Sequence, residues 1–194
     1  MKSRTRFTMS IRVVSAVMGL LVMTSAAYTQ TKVVERSRPF PKAPVEVADL
    51  KSRVQPLSFG KAFEGEAGWL KELSFSVRNS SRKNIVFISL AIDFTEIKIP
   101  SIFRHNIFLG RPTNTNCCKQ LPLLNLKPGE TLSVPLSREY EQFGETVERY
   151  YGADRVSTIM IVLGQVHFED GTMWDLGETY RPSPEQVGKW VRVE

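Results

Sequence analysis

The chain has 194 residues, with 26 Lys and Arg against 20 Asp and Glu, and a formal charge of +6. Four of the basic residues and none of the acidic ones fall in residues 1–27, so the charge drops to +2 beyond that stretch. No basic stripe with interleaved aromatics remains, and nucleic acid is excluded as an expected partner.

Residues 1–27 have the three-part layout of a secretory signal peptide. Lys2, Arg4, Arg6 and Arg12 form a basic leader, residues 13–23 are an uncharged, mostly apolar run, and Thr24-Ser25-Ala26-Ala27 follows with small side chains. The run falls short of the ~20 residues that span a bilayer. No Cys follows it, so lipid attachment at a mature N-terminal Cys is not expected, and the lack of paired arginines favours the general export route. The expectation is cleavage near Ala27, export to the periplasm or beyond, and no stable membrane span afterwards.

Residues 28–53 carry Pro39, Pro41 and Pro44 among alternating charges. Proline fixes its own φ and holds the preceding residue extended. The reading is an extended, Pro-containing arm outside the folded body. Residues 54–194 are then expected to form a single domain with a C-terminal strap.

Residues 54–63 read as a weak strand interrupted by Pro56 and Gly60. In residues 70–77, Leu73, Phe75 and Val77 alternate with polar positions, one face in and one out. A polar turn through Asn79-Ser80-Ser81 leads into residues 85–94, where Val86, Ile88, Leu90, Ile92 and Phe94 form one apolar row. Short strands are expected near 106–110 and 120–124. Lys127-Pro128-Gly129-Glu130 is a turn signal, and 131–136 is a strand.

Residues 137–151 change period. Tyr140, Phe143, Val147 and Tyr150 lie at helical spacing, Ser137 suits an N-cap, and Gly152 suits the C-terminal stop. One amphipathic helix is predicted there.

Residues 156–174 are the organising stretch. Met160, Val162, Val166 and Phe168 make an apolar row with Gly164 as a gap, and these join Val86, Ile88, Leu90 and Ile92 as the predicted core. A three-residue loop, Glu169-Asp170-Gly171, puts Trp174 opposite Val166 and Leu176 opposite Gly164. A two-residue loop would bring Asp175 onto the apolar row, and an unpaired buried carboxylate costs far more than a change of turn type. Gly171 should therefore have positive φ, with Trp174 buried. The tail reads as an irregular strap pinned by Tyr180 and Trp190.

About seven strands and one helix predict an all-β, antiparallel sandwich. LKELSFSVRNSSRKNIVFISLAIDF resembles the middle of immunoglobulin-like sandwich domains in exported bacterial proteins. LNLKPGETLSVPL resembles the polar turn and strand of such domains, and VHFEDGTMW the final hairpin of uncharacterised secreted bacterial proteins. The resemblance covers residues 70–176 and implies a fold and an address. It carries over no functional residue, because such folds host many functions.

The only cysteines are Cys117 and Cys118. Adjacent Cα atoms lie about 3.8 Å apart, below the ~4.4–6.8 Å of ordinary disulfides. The readings are a strained vicinal disulfide, bonds to other chains, or free thiols. His105 and His167 show no ligand spacing to them, so neither a metal nor a cofactor is expected. His167, Glu169 and Asp170 share a hairpin tip that reads as a solvated turn. No nucleophile elbow, carboxylate pair or phosphate loop occurs.

The expected function is a non-enzymatic, exported binding or structural protein whose partner is another envelope protein or a cell-surface component. Tyr151 and Trp190 are the candidate contact residues, Tyr151 being the helix aromatic expected to stay exposed. A redox or catalytic protein using the Cys117-Cys118 loop is one alternative. A ligand or glycan binder using Trp69, Trp174 or Trp190 is another.

Overall fold

The computed structural model describes residues 29–98, 102–114, 120–152, 155–186 and 188–193. The expected signal peptide and Cys117-Cys118 lie outside the described residues. No helix among the described residues is long and apolar enough to cross a membrane.

The protein is mostly β, with two sheets that contribute to one hydrophobic core. The larger sheet is built on β9 (Thr158–Phe168). One edge of β9 pairs with β6 (Ile85–Lys98), which pairs with β7 (Ile102–Gly110). Along the other edge, the start of β9 runs parallel to β1 (Gln30–Arg36) and its end antiparallel to β10 (Met173–Asp175). β4 (Ala62–Gly65) lies beyond β1, and β11 (Glu178–Pro182) and β12 (Trp190–Arg192) lie beyond β10. The smaller sheet runs β3 (Gln55–Pro56), β2 (Val45–Ser52), β5 (Leu73–Asn79), β8 (Thr131–Pro135).

Helix α2 (Leu136–Tyr151) buries Leu136, Tyr140, Phe143 and Val147, and the Gly152 N–H closes it on the Glu148 carbonyl. Pro135, not Ser137, precedes its first turn, and no side chain caps it. A short second helix, α1 (Trp69–Glu72), places Trp69 and Leu70 in the core.

Several expectations are corrected. The described residues hold twelve strands and two helices, not about seven and one. The larger sheet is not wholly antiparallel, because β1 joins β9 in parallel. The arm over 28–53 is no arm, since most of it forms β1 and β2. Charged residues masked it: Lys32, not an apolar residue, shares the inward row of β1 with Val34. The tail is a β11–β12 hairpin instead of an irregular strap. No strand forms at 120–124, where Leu126 makes a lone bridge to Ile85.

The hairpin after β9 follows the packing argument. Trp174 sits opposite Val166, Gly171 has φ 80°, and the indole is buried. Asp175 lies on the other face, where it accepts a hydrogen bond from Gln165 Nε2. Leu176 departs from expectation: it has φ 48° and is 60% exposed. Asp175 pairs with Glu178, so Leu176 and Gly177 form a tight two-residue turn before Gly164 can be reached. In the core, Ile88, Leu90, Ile92, Val166 and Phe168 are buried, while Val86, Met160 and Val162 are only half-buried. Ile159, Ile161 and Leu163 take the inward places on the first half of β9.

Candidate functional site

β1 follows β9 as far as Arg36, opposite Ile161, and the Ser37 N–H donates to the Ile161 carbonyl at 2.9 Å. The chain then leaves the larger sheet, crosses through Pro39, Pro41 and Pro44, and enters the smaller sheet at Val45. β10 begins pairing with β9 at Val166. The edge of β9 between Ile161 and Val166 thus has no ladder partner among the described residues, and a cleft opens between the sheets there.

Ile161 and Leu163 of β9, Val45 and Val47 of β2, and Phe40 of the crossing segment form its apolar floor. Phe40 stands edge-on to the buried Trp174 at 6.0 Å. The cleft encloses about 370 Å³, at the lower end of the ~300–1,000 Å³ usual for small-ligand pockets.

Its rim is basic. Arg36, Arg38 and Lys42 line it, against the single carboxylate of Glu46. Glu46 faces Arg78 across the β2–β5 ladder. Arg36 is occupied: its Nη1 donates to the Val47 carbonyl at 3.0 Å, and its guanidinium lies 5.4 Å from the Phe59 ring centre. Arg38 and Lys42 are exposed and make no ion pair among the described residues.

Lys42 has φ 57°, in a turn closed by the Ala43 N–H on the Phe40 carbonyl at 3.1 Å. Pro41 suits the first central position of such a turn, but the second favours Gly or Asn. A side chain with a Cβ costs about 1–2 kcal/mol there. Backbone strain of this kind concentrates at functional positions.

The residues singled out from sequence do not converge. Tyr151 is half-buried and tilted toward Phe103 at 6.4 Å; Tyr150 is the exposed helix aromatic, at 64%. The correction follows from helix geometry, because Phe103 of β7 covers the side of α2 that carries Tyr151. Trp190 is half-buried, edge-on to His167 at 5.4 Å. Trp69 and Trp174 are buried, Trp69 donating its Nε1–H to the Val156 carbonyl at 3.2 Å. The three indoles do not share a surface.

The hairpin tip is split as well. His167 is buried, and its Nδ1 accepts the Thr113 N–H at 3.0 Å, which leaves the ring proton on Nε2 when neutral. Burial pushes its pKa down to about 4, with Asp175 opposing. Asp170 pairs with Lys83 at 2.6 Å and accepts from Thr172 Oγ1 at 2.6 Å. Burial pushes its carboxyl upward, but hydrogen bonds from Lys83 and Thr172 prevail and hold it below the ordinary value. Glu169 accepts from Asn84 Nδ2 at 2.8 Å. Among the described residues, no three His, Cys, Asp or Glu side chains gather as a metal site.

Sequence reasoning passed over Arg36, Arg38 and Lys42 because it placed them in a free arm. A signal was present. Two cations, Arg38 and Lys42, and three prolines are packed between two stretches, TKVVER and VEVADL, that each bring apolar residues to a strand face. Lys32 was missed as well. It is 1% exposed, donates to the Val156 carbonyl at 2.9 Å and to Gln30 Oε1 at 2.8 Å, and lies 5.8 Å from the Trp69 ring centre. A Cβ on Gly65 would fall 2.7 Å from Lys32 Cγ, so glycine makes room for the stem.

No protein-family model matches the chain, and no curated protein or solved structure matches it either.

Proposed function

We propose that the protein is an exported, non-enzymatic binding protein of the bacterial cell envelope, with its recognition site in the cleft between β1 and β2. One observation carries this reading: an apolar floor meets two exposed cations, Arg38 and Lys42, that no described carboxylate neutralises. Two polar contacts away from the cleft serve the fold. Asp93 accepts two hydrogen bonds from Arg104 at 2.6 and 2.7 Å, and His105 meets Glu139 at 3.2 Å between β7 and α2. An immunoglobulin-like sandwich is supported by two sheets about one core and by the antiparallel smaller sheet. The basic, apolar and small-residue layout of residues 1–27 supports export.

An anionic aromatic dye, anilinonaphthalene sulfonate, tests the site. Saturable binding of one dye per chain is expected, and Ala43→Trp should abolish it by filling the cleft without changing the melting profile. No saturable binding, or binding unchanged in Ala43→Trp, would overturn the reading.

A further inference from the structure

We propose that the ligand of this cleft is a free single-chain carboxylate, an acyl amphiphile whose chain lies between the sheets and whose carboxylate meets Arg38 and Lys42. The proposal rests on the cleft being the binding site.

The floor supplies the first argument. The side chains of Phe40, Val45, Val47, Ile161 and Leu163 are hydrocarbon, and methylenes gain from leaving water for such a surface. Size supplies the second. At about 370 Å³ the cleft is at the lower end of small-ligand pockets, which suits a single acyl chain, and decanoate serves as the probe.

Charge supplies the third. Arg38 offers a planar fork and Lys42 a point charge, the two ways a carboxylate is held. Arg36 stands beside them with one of its five N–H donors given to the Val47 carbonyl. A neutral apolar ligand would leave both cations unused, and a cationic one would be repelled. The rim is formed by strand ends and a turn, without the helix N-terminus that favours phosphate. Its three cations fall short of the 4–8 clustered Lys and Arg that read as a membrane-surface patch. Lys42 stands at the mouth of the apolar cleft on a left-handed turn backbone.

Calorimetric titration of the purified protein with decanoate, decanol and decyltrimethylammonium tests the class. Decanoate should bind one per chain, about tenfold tighter than decanol, and the cation should not bind. Arg38→Gln/Lys42→Gln should erase the preference for decanoate and leave decanol unchanged. Lys42→Gly, which suits the turn, should weaken decanoate alone and guards against a folding defect in the double variant. Equal binding of decanoate and decanol overturns the carboxylate assignment while the cleft stands. Dye binding without decanoate binding overturns the acyl class. Binding to anionic vesicles without binding to monomeric decanoate identifies a membrane surface instead. Failure of the dye and of every amphiphile removes both the ligand class and the site.

Discussion

Leu163 and Val166 lie three positions apart on β9 yet face the same side of the sheet. Leu163 pairs with Leu90 and Val166 with Ile88, so three steps on β9 match two on β6. In a regular strand, residues three apart point to opposite faces. The extra residue falls at Gly164-Gln165, a β-bulge. A Cβ on Gly164 would stand 3.1 Å from the Ser89 carbonyl oxygen, tighter than most real contacts, and glycine relieves it. Before the bulge the odd residues point inward, and after it Val166 and Phe168 do.

The bulge predicts unequal costs for neighbouring truncations. Ile161→Ala should destabilise by about 2–4 kcal/mol. Val162→Ala, on the half-buried face, should cost less than about 1 kcal/mol. Denaturant unfolding of the two variants measures this, and equal costs would place both side chains in the core.

His167 predicts a pH dependence. Its folded pKa of about 4 lies below the ordinary 6.5. The unfolded chain then binds more protons between those values, so stability rises with pH across that window. The contribution is full above pH 6.5, falls as pH drops, and is gone below about 4; its ceiling is about 3 kcal/mol. His167→Asn keeps an acceptor for the Thr113 N–H and removes the titration. Subtracting its stability profile from that of the natural protein should leave a slope confined to pH 4–6.5. A flat difference would mean that His167 reaches solvent.

Lys42→Gly should stabilise the unliganded protein by about 0.5–1 kcal/mol, after the entropy that glycine adds to the unfolded chain. Most lysine-to-glycine changes destabilise. The reversal is specific to the left-handed backbone at φ 57° and is read from the unfolding midpoint.

Gly144 of α2 should show the opposite reversal. Alanine in a helix interior normally gains up to about 1 kcal/mol over glycine. A Cβ on Gly144 would meet the Tyr140 ring at 2.4 Å. That ring is held by its hydroxyl on Glu148 Oε1 at 2.8 Å and by Lys71 Nζ, 4.6 Å from its centre. Overpacking of this kind costs about 1–3 kcal/mol. Gly144→Ala should therefore lower the melting temperature, and a rise would mean that Tyr140 can move aside.

Local physics determined much of the fold from sequence alone. Two-residue alternation marks Leu73, Phe75 and Val77, and it marks Ile88 through Phe94. Helical spacing brings Tyr140, Phe143 and Val147 onto one buried face. The cost of burying Asp175 selects the hairpin register that puts Trp174 opposite Val166. Each signal lies within a few residues, where side-chain period and turn chemistry act. The tertiary structure decided the rest. β1 reads as polar because its inward Lys32 is satisfied by Val156, far along the chain. The bulge at Gly164-Gln165 arises from pairing with β6, and no periodicity within β9 announces it. The cleft exists because β1, whose partner β9 is distant in sequence, leaves it at Ile161, while β10 arrives at Val166 through the local hairpin. Where β1 ends its pairing with β9 has no local cause, so Arg38 and Lys42 become a rim only when the sheets assemble.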